Sequence, residues 1–245
     1  MEKLTLRRTA EKFGIALSTA FIWRHKVLDS LQNMQNEVSL DGIVELDETY
    51  FSDSYKGNHK KSDFKIPRKK RKRGSYGVKA GLGKDKVCIP VMVNQERKSV
   101  ARATNLGAPK KVDIINAVKE NVSNGALLVT ENNKTFRKIT EKLDVSHVRI
   151  QSGKHRNGIY NIQLVNSHHS MLSDFINHKL NGVSSKYINN YCVYNNFVNF
   201  AVGNFTDKLN TLKNFVFSVN FKERSKDVSK RSNMPFTIND SNTEC

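Results

Sequence analysis

The sequence has 245 residues and carries 41 Lys and Arg against 23 Asp and Glu, a formal net charge of +18. This excess of positive charge favours a polyanionic partner, with nucleic acid as the first candidate. The length allows one large domain or two small ones. Its basic runs lack the bulky apolar face of a membrane-surface helix, no apolar run could cross a bilayer, and no signal-peptide pattern is seen. We therefore expect an intracellular protein without a membrane partner, in the cytoplasm or nucleoid of a bacterium or in the nucleus of a eukaryote.

Residues 1–33 read as two helices joined by a glycine turn. An apolar helical face ends at Gly14, and Ser18 is a favourable N-cap for a second helix over residues 19–31. This is the helix-turn-helix pattern, and an ordinary helical hairpin is the alternative. In the first case the second helix would present four polar side chains to DNA: Ser18, Thr19, Arg24 and Lys26.

Residues 42–51 form a mostly apolar, β-prone stretch that carries acids where a buried strand would have apolar side chains. Placing Asp47 at mid-strand costs desolvation and cross-strand packing, so proteins keep such a carboxylate mainly to hold a cation or to do chemistry. A half-exposed edge strand with solvated acids is the alternative. The surrounding chain is strongly basic, which favours the functional interpretation.

A basic segment follows at residues 52–86. Its centre is a run of six consecutive cations: Arg68, Lys69, Lys70, Arg71, Lys72 and Arg73. Such a run repels itself until it meets phosphate. Its position between the first two strands of a domain favours a contact with the DNA backbone over a solvated loop or a localisation signal.

Strands and helices alternate in the remainder of the chain. We predict strands over residues 86–95, 99–105, 126–130 and 147–151, and helices over residues 110–122, 135–143, 160–180 and 185–202. This order predicts an α/β fold over residues 41–203, an RNase H-like catalytic domain with a mixed sheet flanked by helices, preceded by the small helix-turn-helix. Residues 204–245 are rich in Asn, Lys and Ser, which predicts a polar, flexible tail.

Three side chains hold the positions that converge in that architecture, on the first strand, after the fourth strand and on a later helix. They are Asp47, Glu131 and Asn166, the candidate catalytic residues and metal ligands. Converging oxygen ligands suit Mg²⁺ or Mn²⁺. Two such ions about 4 Å apart can activate the attacking oxygen and stabilise the leaving oxygen in phosphoryl transfer.

Four stretches of the sequence resemble a known family, the DDE-type insertion-sequence transposases, in the ISXO-like branch where Asn stands for the last acid. They are residues 18–28 (STAFIWRHKVL), residues 44–49 (VELDET) with 55–59 (YKGNH) and the basic run, residues 160–170 (YNIQLVNSHHS), and residues 181–191 (NGVSSKYINNY). The resemblance implies that Asp47 is the first metal ligand and Asn166 the third. It also implies an enzyme that binds terminal inverted repeats and cuts and joins double-stranded DNA with Mg²⁺, as a homo-oligomer that pairs the element ends.

His169 lies one helical turn beyond Asn166, on the same helical face. In the family context, a contact with DNA phosphate or with the ligand residues would suit it. A buried structural histidine is an equal alternative.

Several features depart from the pattern of that family. Its second acid is an Asp, whereas this chain has Glu131, which is one methylene longer, and metal geometry is sensitive to shifts of about 1 Å. The family's His in the third stretch is Asn161, and the Arg and Lys beyond it are Met171 and Ser173. The Cys-rich zinc module common in the family is not found ahead of the helix-turn-helix. We therefore expect a chain shortened at its N-terminus, or a decayed or repurposed copy.

Three functions remain open at this point. The first is an active transposase, and the second is a transposase-derived DNA-binding protein that has lost its chemistry through Glu131. The third, an ordinary helix-turn-helix regulator, would leave Asp47 and Asn166 without a use.

Overall fold

The computed structural model describes residues 3–57, 66, 83–133, 136, 143, 145–154, 156–201, 203–217 and 223–237. The basic run at residues 68–73 and most of the predicted helix at 135–143 lie outside these residues.

In the described part of the chain, six strands form one mixed sheet. They are β1 (Ile43–Ser52), β2 (Lys86–Asn94), β3 (Ser99–Ala101), β4 (Asn105–Leu106), β5 (Leu127–Glu131) and β6 (Ser146–Ile150). The order across the sheet is β3-β2-β1-β5-β6, with β4 also paired to β2. β1 runs antiparallel to β2 and parallel to β5, which is parallel to β6. Helices flank this sheet, and the predicted fold class, an RNase H-like α/β domain, is confirmed.

The helices of the described residues follow the predicted order. They are α1 (Leu6–Phe13), α2 (Leu17–Asn36), α3 (Lys111–Asn121), α4 (Gln163–Ser173), α5 (Ile188–Phe200), α6 (Phe205–Val216) and α7 (Ser225–Ser229). A short hairpin of β7 (Arg156–Asn157) and β8 (Tyr160–Asn161) precedes α4, a π-helical turn (Asp174–Lys179) extends it, and a 3-10 turn (Ser185–Tyr187) leads into α5. None of these helices is long and apolar enough to cross a membrane.

The side chains of β1 alternate between two apolar layers, because successive residues of a strand point to opposite faces. Val44 and Leu46 belong to the cluster that includes the buried side chains of α3. Phe51 belongs to the larger cluster that includes the buried side chains of α4 and α5. Glu45 and Asp47 have the parity of Phe51, so both acids face the layer that contains α4.

The two N-terminal helices form as predicted, but the start and end of the second are different. Gly14 ends α1 in the left-handed conformation, with φ of 61°, where a glycine is favoured. The N-cap of α2 is Ala16 and not Ser18, and the helix continues to Asn36. Its inner face is buried, with Leu31 fully enclosed. Tertiary burial of this kind extends a helix beyond its local stop signals.

The segment after residue 203 differs from the predicted flexible tail, because it contains α6 and α7. Val228 is completely buried, and its carbonyl accepts a hydrogen bond from the Tyr187 hydroxyl at 2.9 Å. Arg231 forms ion pairs with Asp29 on α2 and with Glu223. A few apolar and charged anchors thus attach a segment whose average composition is that of a tail.

Candidate active site

The register of two parallel strands brings Asp47 and Glu131 together. Leu46 on β1 lies opposite Thr130 on β5, so the two acids occupy the next position on each strand. Paired strands lie about 4.8 Å apart. Burial, together with the negative charge of Glu131, raises the pKa of Asp47 to about 6. The first two residues of the predicted site are therefore electrostatic neighbours.

The end of β5 is held by a pair of side chains that sequence reasoning missed. The Thr130 hydroxyl donates a hydrogen bond to the carbonyl oxygen of Glu131 at 2.8 Å, and it lies 2.9 Å from Nε2 of His147 on β6. Burial lowers the pKa of His147 to about 4, so its ring is neutral at pH 7. Because the hydroxyl proton is used by Glu131, His147 donates from Nε2. The pairing depends on strand register, which leaves no signal in the sequence.

Helix α4 carries the third predicted ligand. It begins at Gln163 and not at Tyr160, because residues Tyr160–Asn161 pair with Arg156–Asn157 in the preceding hairpin. Asn166 and His169, three residues apart, share one helical face. His169 Nδ1 lies 3.9 Å from Asp47 Oδ2, and Asn166 is exposed on the preceding turn. The structure thus places the end of β5, with Glu131, and this face of α4 beside Asp47.

His169 is a neutral contact of Asp47 at pH 7. Its side chain is only 16% exposed, and burial, with a smaller contribution from His168, lowers its pKa to about 4. The Asp47 contact is therefore not an ion pair in the metal-free protein. The Nε2 atom of His169 is buried and has no hydrogen-bond partner among the described residues. The neighbouring His168 is fully buried and bonded to Asn196 on α5, so His168 is the structural histidine of this helix.

Glu48, the residue after Asp47 along β1, is a half-buried acid that sequence reasoning did not assign. Burial, followed by the charges of Asp47 and Glu131, raises the pKa of Glu48 to about 8. Its Oε1 atom is buried without a hydrogen-bond partner among the described residues. Such a carboxylate is costly to keep ionised. The only sequence signal was that two acids, Asp47 and Glu48, stand in succession.

The donor set of this site is compatible with a hard divalent cation. The described residues contain no metal-site grouping of three or more His, Cys, Asp or Glu side chains. The predicted ligands, however, are two carboxylates and the amide of Asn166, and Mg²⁺ commonly takes one or two carboxylates with water and substrate phosphate oxygens. A cation would also relieve the repulsion that helps raise the pKa of Asp47.

The predicted DNA-contacting residues of α2 do not behave alike. Ser18 is exposed in the first turn, and Thr19 and Lys26 are half-buried. Arg24 donates hydrogen bonds to the carbonyl oxygen of Leu4 at 2.8 Å and to the Thr9 hydroxyl at 2.7 Å, so it fastens α2 to α1. DNA contact by these four residues stays a prediction, and the basic run of residues 68–73 lies outside the described residues.

Acids on two neighbouring parallel strands of an RNase H-like sheet, here Asp47 within β1 and Glu131 at the end of β5, are typical of enzymes that transfer phosphoryl groups of nucleic acids. The ISXO2-like transposase domain matches residues 39–197, more than half of the chain, and the protein belongs to this transposase family. The resemblance to insertion-sequence transposases is thereby confirmed.

Comparison with solved structures gives distant similarities. One is to a chain of the simian T-cell lymphotropic virus intasome in complex with PP2A regulatory subunit B56 gamma, with 12% identity and a TM-score of 0.40 over 76% of this chain and 58% of that chain. Another is to the pre-cleavage Mos1 transpososome, with 9% identity and a TM-score of 0.33 over 90% of this chain and 75% of that chain. A comparison with curated proteins finds no match.

Proposed function

We propose that this protein is the DNA transposase of an insertion sequence, and that Asp47, Glu131 and Asn166 form its catalytic site. The observation that carries the proposal is the register of β1 and β5, which sets Asp47 beside Glu131, while α4 contacts Asp47 through His169. The net charge of +18 supports double-stranded DNA as the partner. Pairing of two element ends would require at least two copies of the chain.

The proposed reaction consists of two phosphoryl transfers. In the first, a water oxygen attacks the phosphorus at the element end and loses a proton. The bond between that phosphorus and the 3′ oxygen breaks, and the released oxygen takes up a proton as a 3′-OH. In the second, this 3′-OH oxygen loses its proton and attacks a phosphorus of target DNA. The bond between that phosphorus and the target 3′ oxygen breaks, and the displaced oxygen takes up a proton. Both steps exchange one P–O bond for another, so no oxidant or energy source is needed.

The residues have distinct roles in this proposal. Asp47, Glu131 and the Asn166 carbonyl oxygen would hold Mg²⁺ or Mn²⁺, proposed as two ions, which when bound lower the pKa of the attacking water and offset developing negative charge. Because Asn is neutral, the ligands carry two negative charges and not three. His169 packs against Asp47 and would orient its carboxylate. Because its Nε2 atom is buried, the predicted contact with a DNA phosphate would require the ring to move.

The function can be tested with DNA from both flanks of the gene. We expect the purified protein to nick this DNA at the element ends and to join them to target DNA with Mg²⁺ or Mn²⁺, and to do neither with EDTA. Cleavage that persists in EDTA would contradict the metal-dependent chemistry. Specific binding of the ends without cleavage in any metal would favour a non-catalytic protein.

A catalytically decayed, DNA-binding descendant of a transposase is the second candidate. It is favoured by Glu131 in place of the expected Asp, and by Asn161, Met171 and Ser173 where the resemblance predicts His, Arg and Lys. Met171 is 40% exposed, so an apolar side chain lies at the surface of the helix that carries Asn166.

The basic run is expected to bind the DNA backbone without regard to sequence. Replacing all six cations from Arg68 to Arg73 by Gln should weaken binding to every DNA tested. It should also reduce the slope of log K against log salt by up to about 5, if each cation neutralises one phosphate. Fluorescence anisotropy at several salt concentrations measures this. A matched variant with Arg68, Arg71 and Arg73 changed to Lys keeps the charge and should keep the slope. An unchanged slope in the Gln variant would remove the run from the interface.

A further inference from the structure

The N-terminus of α4 is capped only in part by its own sequence. Asn161 Oδ1 accepts a hydrogen bond from the Gln163 N–H at 3.0 Å, whereas the N-cap residue Ile162 makes no side-chain cap bond and the first helical turn contains no acid. The first four N–H groups of a helix have no partner within it and carry the positive end of the helix dipole. The N–H groups of Leu164 and Val165 therefore need a partner from another element where the helix end is buried.

Glu45 of β1 supplies that partner. Its Oε2 atom accepts a hydrogen bond from the backbone N–H of Val165 at 3.0 Å, and the backbone of Leu164 also bonds to this carboxylate. The side chain is 1% exposed. Burial raises the pKa of Glu45, and the bonds from the two N–H groups act in the opposite direction. A carboxylate bonded to backbone N–H groups at a helix N-terminus is among the stronger hydrogen-bonding arrangements in proteins.

The two ends of this contact lie next to the candidate active site. Glu45 is two residues from Asp47 on the same face of β1, a distance of about 7 Å along the strand. Val165 immediately precedes Asn166, and His169 lies one turn further along α4. Because Glu45 is enclosed and its Oε2 atom faces backbone N–H groups, its role is not contact with DNA.

We propose that Glu45 is a positioning residue: its carboxylate ties the start of α4 to β1 and so sets Asn166 and His169 in register with Asp47. This inference rests on the proposed function for its catalytic consequence, whereas the tie itself is independent of it. A shift of about 1 Å between catalytic groups can lower a rate about 100-fold. The loss of Glu45 should therefore affect the chemical step and leave DNA affinity nearly unchanged.

The test compares Glu45→Ala, Glu45→Gln and the matched control Glu96→Ala, whose glutamate is 61% exposed. At saturating DNA, Glu45→Ala should lower the cleavage rate constant about 100-fold and Glu45→Gln about 10-fold, because Gln keeps one acceptor oxygen but not the charge. The Kd for DNA should stay within about twofold in all three. If Glu45→Ala does not fold, Glu45→Gln alone is compared with wild type and with Glu96→Ala. A rate unchanged in both Glu45 variants, or a loss confined to DNA affinity, would overturn the positioning role.

Amide hydrogen exchange tests the contact between Glu45 and the start of α4 separately from its effect on catalysis. The amides of Leu164 and Val165 should exchange at least about tenfold faster in Glu45→Ala than in wild type, while the amide of Leu172 near the end of α4 should not change. Unchanged exchange at Leu164 and Val165 would show that Glu45 does not hold these amides.

If wild type cleaves no DNA, the proposed function fails. The positioning claim is then judged by the distance between His169 Nδ1 and Asp47 Oδ2, which is 3.9 Å and should lengthen by about 1 Å in a crystal structure of Glu45→Ala. An unchanged distance would overturn it.

Discussion

Replacement of Glu131 by Asp is expected to raise the rate of DNA strand cleavage about 100-fold, and Asp47→Ala is expected to reduce cleavage to background. Glu131 lies beside Asp47 at the end of β5, so its extra methylene moves a carboxylate that the family places one bond closer to the backbone. Asp47→Ala removes one of only two carboxylates of the proposed metal site. Nicking of labelled end DNA with Mg²⁺ gives the rate constants, and anisotropy gives the affinity, which should change little.

Two controls make the comparison specific to the position of Glu131. Glu131→Gln keeps the length without the charge and should lower the rate below that of wild type. Glu96→Asp makes the same shortening at an exposed site and should have no effect. A lower rate for Glu131→Asp would mean that the site is adapted to the longer acid. An inactive wild type together with an active Glu131→Asp variant would support the decayed protein, and cleavage by Asp47→Ala would reject the site.

Asp47→Asn is expected to stabilise the metal-free protein by up to about 3 kcal/mol at pH 7 and by much less at pH 4. The pKa of Asp47 is raised from 3.8 to about 6, so the folded state binds this proton more tightly than the unfolded chain does. The ionised carboxylate therefore lowers stability as pH rises from about 4 to 6, and Asn does not ionise. Glu48 acts in the same direction up to about pH 8. Denaturant unfolding at a series of pH values measures the difference.

The variant must be compared with wild type because the histidines have the opposite effect. Burial lowers the pKa of His25 to about 3 and of His147, His168 and His169 to about 4, so these groups increase stability as pH rises toward 6.5. Subtracting the two curves removes this common contribution. A stability difference between Asp47→Asn and wild type that does not vary with pH would contradict the raised pKa of Asp47.

Magnesium should largely cancel the stability advantage that Asp47→Asn has in the metal-free protein. At about 100 times its Kd, a bound ion would stabilise wild type by about 2.7 kcal/mol, which corresponds to a rise in Tm of about 5–10 °C for a chain of this size. Asp47→Asn should lose most of that rise. Equal stabilisation of both proteins would place the ion elsewhere.

Several parts of the fold were predictable because they depend on neighbours in the chain. The strand at residues 42–51 and the helix at residues 110–122 follow from local patterns of apolar and polar side chains, and both are present within a few residues of the predicted bounds. Gly14 ends α1 because a left-handed residue there needs no side chain. Distant contacts overrode local composition at residues 203–217 and 223–237, where Val228 and Arg231 anchor a polar segment to other elements.

The sequence by itself determined the class of fold, the acid in the middle of β1 and the family, since each depends on residue type and spacing along the chain. Only the tertiary structure decided which side chains meet. The register of β1 against β5 set Glu131 beside Asp47, the hairpin moved the start of α4, and the packing of α4 assigned His168 to the core and His169 to Asp47. Glu45 shows the reason most directly, because its partner Val165 is 120 residues away. Contacts at such separation are selected by burial and strand register, which no local pattern encodes.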